Sequence, residues 1–226
     1  MAETGPGKRA GLSGVQLAVV GAVAVASAGA LYVIGSRVFK QPEPPASAPA
    51  ESVDASTGLP ATPAPAGAYA GLATGHMKRL TTESAGKPAP TAGFVDANGK
   101  AMTLADFKGQ PVLVNLWATW CAPCKKEMPT LAALQKAYEG KIKVVALSID
   151  KEGQTAEAKA FIAQNAPLAF YQDASMKAPF AFDPPAQGFP TTIFYGADGI
   201  EQARLVAEAD WSSPEARAVV DRLVGN

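Results

Sequence analysis

Apolar and polar positions divide this 226-residue chain into three stretches. From Val15 to Ile34 the chain is apolar for twenty residues, with no charge between Arg9 and Arg37. From Gln41 to Pro90 there are nine prolines, abundant alanine and few large apolar side chains. From about Thr91 onward, short apolar runs alternate with stretches of helical periodicity.

The last stretch predicts a folded domain. Gly93–Val95 and Ala101–Leu104, with a turn at Asn98-Gly99, read as a β-hairpin. Asp106 is placed to open a helical turn. Pro111–Trp117 reads as a buried strand and Lys125–Tyr138 as a helix. Lys143–Ile149 is apolar almost throughout, as buried parallel strands are. Thr155–Asn165 reads as a helix burying Ala156, Ala160, Phe161 and Ile162. Leu168–Tyr171 is a short strand or connector, and Ala174–Phe182 a helix. Thr191–Tyr195 and Ile200–Val206 form a hairpin turning at Ala197-Asp198-Gly199. Ser213 before Pro214 is a good helix start, and that helix runs to about Val224. Such alternation predicts an α/β fold, a mixed sheet with helices on both faces.

The twenty-residue run would span about 30 Å as a helix, the thickness of a bilayer core. The expected organisation is a short cytoplasmic tail (1–14), a transmembrane anchor (15–36), a flexible Pro/Ala-rich linker (37–87) and a folded domain (88–226). A cleaved signal peptide is the competing reading, because Ala26-Ser27-Ala28 resembles a cleavage site. No cysteine lies near the run, which excludes a lipid-anchored start. The linker cannot bury enough surface to offset its ordering, although short helical turns are expected around Tyr69 to Leu80. His76-Met77 within it reads as solvated linker rather than a metal-ligand pair. A net charge of zero gives no sign of nucleic-acid binding.

The chemistry is concentrated in Trp120-Cys121-Ala122-Pro123-Cys124. These are the only two cysteines in the chain, and they sit where a strand turns into a helix. A helix N-terminus presents free N–H groups and partial positive charge, which favours a thiolate. The pair is therefore read as an exchanging dithiol. A zinc site usually needs four ligands, and the chain has one histidine, so no metal is expected. A loop this short gains little entropy from a purely stapling disulfide. Pro123 lacks an N–H near a helix start, where that costs little, and Ala122 leaves the mouth small and neutral.

The segment Val114 to Pro129, VNLWATWCAPCKKEMP, resembles the TlpA and ResA group of membrane-anchored thiol–disulfide proteins within the thioredoxin superfamily. The resemblance covers residues 88 to 226. It implies a thioredoxin-like fold, with Cys121 as attacking and Cys124 as resolving thiol and no cofactor beyond their disulfide. Gly188-Phe189-Pro190-Thr191-Thr192 is the second mark: by the resemblance, Pro190 follows a cis bond beside the dithiol, and Phe189 offers its backbone to an extended peptide. Trp120 is expected to shield Cys121 and offer a contact surface, Trp117 to lie in the core, Pro129 to kink the helix and Trp211 to pack. Lys125 and Lys126 either favour the thiolate or face water. Many thioredoxins bury an aspartate where this chain has Asn115, which cannot accept a proton. Glu127, three residues beyond Cys124, is assigned that proton role; the alternative is an exposed glutamate pairing with a lysine.

The short N-terminal tail is expected to stay inside, which places the domain on the periplasmic side of the bacterial inner membrane; a monomeric reductase is expected there, and the resemblance suggests its electron supply and recipients. Electrons would come from a membrane thiol carrier and pass to disulfide-containing proteins, such as apocytochrome c or copper-handling proteins of oxidase assembly. Thr191, where cytochrome c maturation proteins of the CcmG type usually carry glutamate, favours a TlpA-like assignment. Alternatives are a general thiol oxidant and a Cu(I)-binding module using the two soft thiolates. A peroxidase is disfavoured, since Ala118 stands where those sites place threonine.

Overall fold

The computed structural model describes residues 67–225. The predicted anchor and linker residues 37–66 lie outside the described residues. Among the described residues, no helix is long and apolar enough to cross a membrane.

The strands are Leu80–Thr81 (β1), Phe94–Asp96 (β2), Ala101–Met102 (β3), Val112–Trp117 (β4), Lys143–Ser148 (β5), Tyr171–Gln172 (β6), Thr191–Tyr195 (β7) and Glu201–Leu205 (β8). The helices are Ala122–Ala137 (α1), Thr155–Ala163 (α2), Ala178–Ala181 (α3) and Pro214–Leu223 (α4). One sheet orders the strands β1-β8-β7-β4-β5-β6-β2-β3. β4, β5 and β6 are parallel neighbours, and the remaining pairs are antiparallel. The sheet is mixed, as the pattern predicts. Its parallel centre explains why β4 and β5 are apolar almost without interruption.

Successive strand residues face opposite sides of a sheet. Leu113 and Trp117 of β4 join Val144 and Ala146 of β5 and Phe194 of β7 in a core shared with Cys124, Met128 and Leu131 of α1. Val112, Val114 and Leu116 face the other way, with Val145, Leu147, Phe94, Phe107 and Tyr171. Asn115 shares the parity of Leu113 and Trp117. A polar residue is therefore delivered to the buried α1 side.

Local signals explain most helix ends. Ser213 caps α4, its hydroxyl accepting from the Ala216 N–H at 3.3 Å. Asp106 completes a capping box with Thr103 around a 3₁₀ turn over Leu104–Phe107, rather than opening it. Two helices differ from expectation. The helix predicted over 174–182 shrinks to Ala178–Ala181. Asp173 accepts from Ser175 N and Oγ and from Ala178 N, and Met176 takes φ +53°, which holds the chain out of helix until Ala178. On α2, Ala158 and Ile162 are buried while Ala156 and Ala160 are exposed.

Residues 67–87, read as linker, pack onto the domain. Two 3₁₀ turns, Ala70–Leu72 and Gly75–Met77, lead into β1, which pairs with β8. Tyr69 is 3% exposed and Met77 fully buried. Gly75 has φ +49°, and a Cβ there would collide with Glu215. Ser84 donates to Glu201, which also pairs through both oxygens with Arg204; all three are buried. Composition averaged over fifty residues hides these few anchors.

Candidate active site

Cys121 is the N-cap of α1, and its Sγ accepts from the Cys124 N–H at 3.3 Å. The two form a disulfide, with Cα atoms 5.3 Å apart. Cys121 is 5% exposed and Cys124 fully buried. Of the two, Cys121 alone retains any surface. Pro123 occupies the first turn, where N–H groups have no intrahelical partner. Ala122 and Pro123 are exposed. On reduction, the helix N-terminus and the Cys124 N–H both favour a thiolate at Cys121.

Trp120 is 56% exposed and meets the Phe189 ring edge-on, with centroids 5.9 Å apart. That contact sets the loop carrying Phe189 and Pro190 beside the residue preceding Cys121. The Phe189–Pro190 bond is cis and Pro190 is buried, as the family likeness implies. Thr191 closes the loop by donating to Gly188 O at 2.6 Å.

Glu127 is not an exposed helix glutamate: it is 2% exposed. Its Oε1 accepts from Asn115 Nδ2 at 2.7 Å. Its Oε2 accepts from Ala209 N at 2.9 Å and from Trp211 Nε1 at 3.1 Å. Burial pushes its pKa up from 4.5 to about 7, against the lowering pull of these donors; the Glu208 charge adds to the rise. A cavity of about 310 Å³ reaches Glu127, walled by His76, Lys126, Thr130, Glu208, Ala209 and Asp210. A carboxyl buried in protein, near neutrality and open to a cavity can exchange protons at working pH. Lys126 faces outward and pairs with Glu208 at 2.9 Å.

Trp117 lies fully buried in the core, as expected. Pro129 lies inside α1 on its exposed side, and the helix runs on through it to Ala137. Trp211 does more than pack, since its indole N–H is a Glu127 partner. Asp150 escaped the sequence reading. It is fully buried at the end of β5 and accepts from Thr119 N at 3.0 Å, Thr119 Oγ1 at 2.8 Å and Ser148 Oγ at 2.9 Å. It thereby ties down the turn leading to Trp120 and Cys121. A lone aspartate closing an apolar strand was the available signal, because sites of α/β sheets gather at the carboxyl ends of strands.

The chain is similar in sequence and in fold to known proteins. The family model described as Redoxin matches residues 84–207, more than half of the chain. A thiol-disulfide oxidoreductase ResA of Bacillus cereus is 33% identical over 127 residues, covering 54% of this chain and 70% of that protein. ResA of a second Bacillus cereus strain is 40% identical over 81 residues, 35% of this chain and 47% of the relative; the chain thus spans about half the length of such relatives. A crystal structure from Chlorobium tepidum, of a protein named thiol:disulfide interchange protein DsbE, aligns with TM-score 0.53 and 24% identity over 62% of this chain and 96% of its own. That likeness establishes a thioredoxin-like fold, and with the family match it places the chain in the redoxin family of the thioredoxin superfamily.

Proposed function

We propose that this protein is a membrane-tethered thiol–disulfide oxidoreductase that reduces disulfides of other proteins on the periplasmic side of the inner membrane. The observation that carries the reading is the Cys121–Cys124 pair at the start of α1, Cys121 keeping a sliver of exposed surface and Cys124 none, with Glu127 three residues on. The names of the ResA relatives support it. The apolar run from Val15 to Ile34 supports the tether, and disulfides persist in oxidising compartments outside the cytoplasm.

The Cys121 thiolate attacks a substrate disulfide, forming a mixed disulfide and releasing one substrate thiolate. Cys124 gives its proton to Glu127 and attacks Cys121 Sγ. The second substrate thiolate leaves, and Cys121–Cys124 is oxidised while the substrate gains two electrons and, from solvent and Glu127, two protons. A thiol carrier in the membrane then returns two electrons to the pair. The exposed Trp120 face and the Phe189 backbone receive an extended peptide. Apocytochrome c and copper-handling proteins of oxidase assembly are the substrates the family likeness favours.

The test is the equilibrium potential of Cys121–Cys124 in the full chain in detergent, measured by glutathione exchange. A value between about −270 and −200 mV supports a reductase, and one near about −120 mV makes the protein an oxidant. Copper titration of the reduced protein separates off the metal-binding alternative, which requires tight stoichiometric binding.

A further inference from the structure

Every hydrogen-bond neighbour of the Glu127 carboxyl is a donor: Asn115 Nδ2, Ala209 N and Trp211 Nε1. This set suits the ionised group and offers no acceptor to a protonated one. The second hydrogen of Asn115 Nδ2 goes to Thr192 Oγ1 at 2.9 Å. Asn115 and Thr192 are directly opposite in the antiparallel β4–β7 ladder, and both are fully buried. Asn115 Oδ1, also buried, has no partner. Among the described residues it is the one unpartnered buried side-chain acceptor, since the other unpartnered atom, Trp117 Nε1, is a donor.

We infer that Asn115 is a positioning residue whose amide turns by half a rotation when Glu127 gains its proton, alternating between donating to Glu127 and accepting from it. The inference rests on reading Glu127 as the proton-holding group of the site. With Glu127 ionised, Nδ2 donates to Oε1 and to Thr192. With a proton on Oε1, Oδ1 takes the place of Nδ2 and accepts from Glu127, while the Thr192 hydroxyl reverses from acceptor to donor. The terminal amide torsion is broad and roughly two-fold, so both orientations fill the same space. Each state leaves one amide atom unpaired, Oδ1 in the first and Nδ2 in the second. The burial cost is therefore similar in both, and the proton decides between them.

The consequence lies in what Thr192 joins. It stands two residues beyond Pro190, on the strand that follows the Phe189–Pro190 loop. A proton taken up by Glu127 thus reverses a hydrogen bond on the strand that carries the peptide-receiving loop. The charged and titratable groups that share the cavity wall with Glu127 are Lys126 from α1, Glu208 and Asp210 from the loop after β8, and His76 from the segment before β1. β4 and β7 contribute only the neutral Asn115 and Thr192. A coupled pH response is assigned to Glu127 by its loss in Glu127→Gln.

The test is nuclear magnetic resonance of the full oxidised chain in detergent, with 15N-labelled asparagine. The Asn115 side-chain amide is assigned by its disappearance in Asn115→Leu. On acidification, both Asn115 amide protons move together from hydrogen-bonded to unbonded shifts, with the midpoint of Glu127. A fixed amide instead moves only the proton facing Glu127 and leaves the one facing Thr192 bonded; that result overturns the inference. In Glu127→Gln, the side-chain oxygen is claimed by Ala209 N and Trp211 Nε1, so its NH2 must face Asn115. Both Asn115 protons then stay unbonded at every pH, and two bonded protons would overturn the inference. Exchange kinetics on the same variant judge the underlying reading. If the rate and thiol pKa values of Glu127→Gln equal those of the parent, the proton role of Glu127 fails, whatever the amide does.

Discussion

The indole N–H of Trp211 donates to Glu127 Oε2 at 3.1 Å, joining the turn before α4 to the middle of α1. A buried carboxyl is thus held from two distant parts of the chain. Burial still dominates its titration, raising the pKa from 4.5 to about 7. The folded state therefore binds more protons than the unfolded one between those values. Stability falls as pH rises through this window and is level above it, by roughly 3 kcal/mol from this group. Urea unfolding of the oxidised chain at pH 4.5 and pH 8 measures it, as the difference between parent and Glu127→Gln. An unchanged difference between the two pH values would refute the buried titration.

Trp120 tests the peptide-receiving face. It is more than half exposed and touches Phe189 by a single edge-on contact. Trp120→Ala should change stability by no more than about 1 kcal/mol. It should slow exchange with a protein disulfide by about tenfold or more, because aromatic anchors dominate such contacts. Exchange with dithiothreitol, which needs only Cys121, should keep its parent rate. Equal losses for both substrates would mean that Trp120 serves Cys121 itself and not the partner.

The sequence pattern carries the sheet and the thiols well, for one physical reason. β4, α1, β5, β7, β8 and α4 each combine clear periodicity with local punctuation such as Ser213-Pro214 or Ala197-Asp198-Gly199. Short-range signals suffice there. What stayed hidden depends on partners distant in sequence. Glu127 looks like any helix glutamate until Ala209 and Trp211 are folded against it. Trp211 reads as packing because nothing local shows where its N–H points. The shortening of α3 rests on three hydrogen bonds to Asp173, a residue outside the predicted helix.

Asp150 is a second such case, and its role is separable. It holds the Thr119 N–H and hydroxyl two residues before Cys121. Asp150→Asn keeps the size and removes one acceptor oxygen from a buried, charge-assisted set. The expected cost is about 1–3 kcal/mol. The Thr119 amide should lose hydrogen-exchange protection, and disulfide exchange should slow. Retained protection at Thr119 would show that the turn holds its shape without the carboxylate.

The segment before β1 gives the clearest test of where the domain begins. Its composition reads as linker, yet Met77 is fully buried, Tyr69 is 3% exposed, and Leu80 and Thr81 pair with β8. Met77→Ala would leave a cavity beneath α4 and should cost about 2–5 kcal/mol, the range for large-to-small core changes. Met77→Leu conserves volume and should cost less than about 1.5 kcal/mol. A chain starting at Lys87 loses all four residues and exposes the β8 edge, so its urea midpoint should fall below that of a chain starting at Gly67. If the two chains unfold at the same midpoint, and Met77→Ala matches its parent, the segment lies on the domain without stabilising it. The folded unit would then begin where the Pro/Ala-rich composition ends.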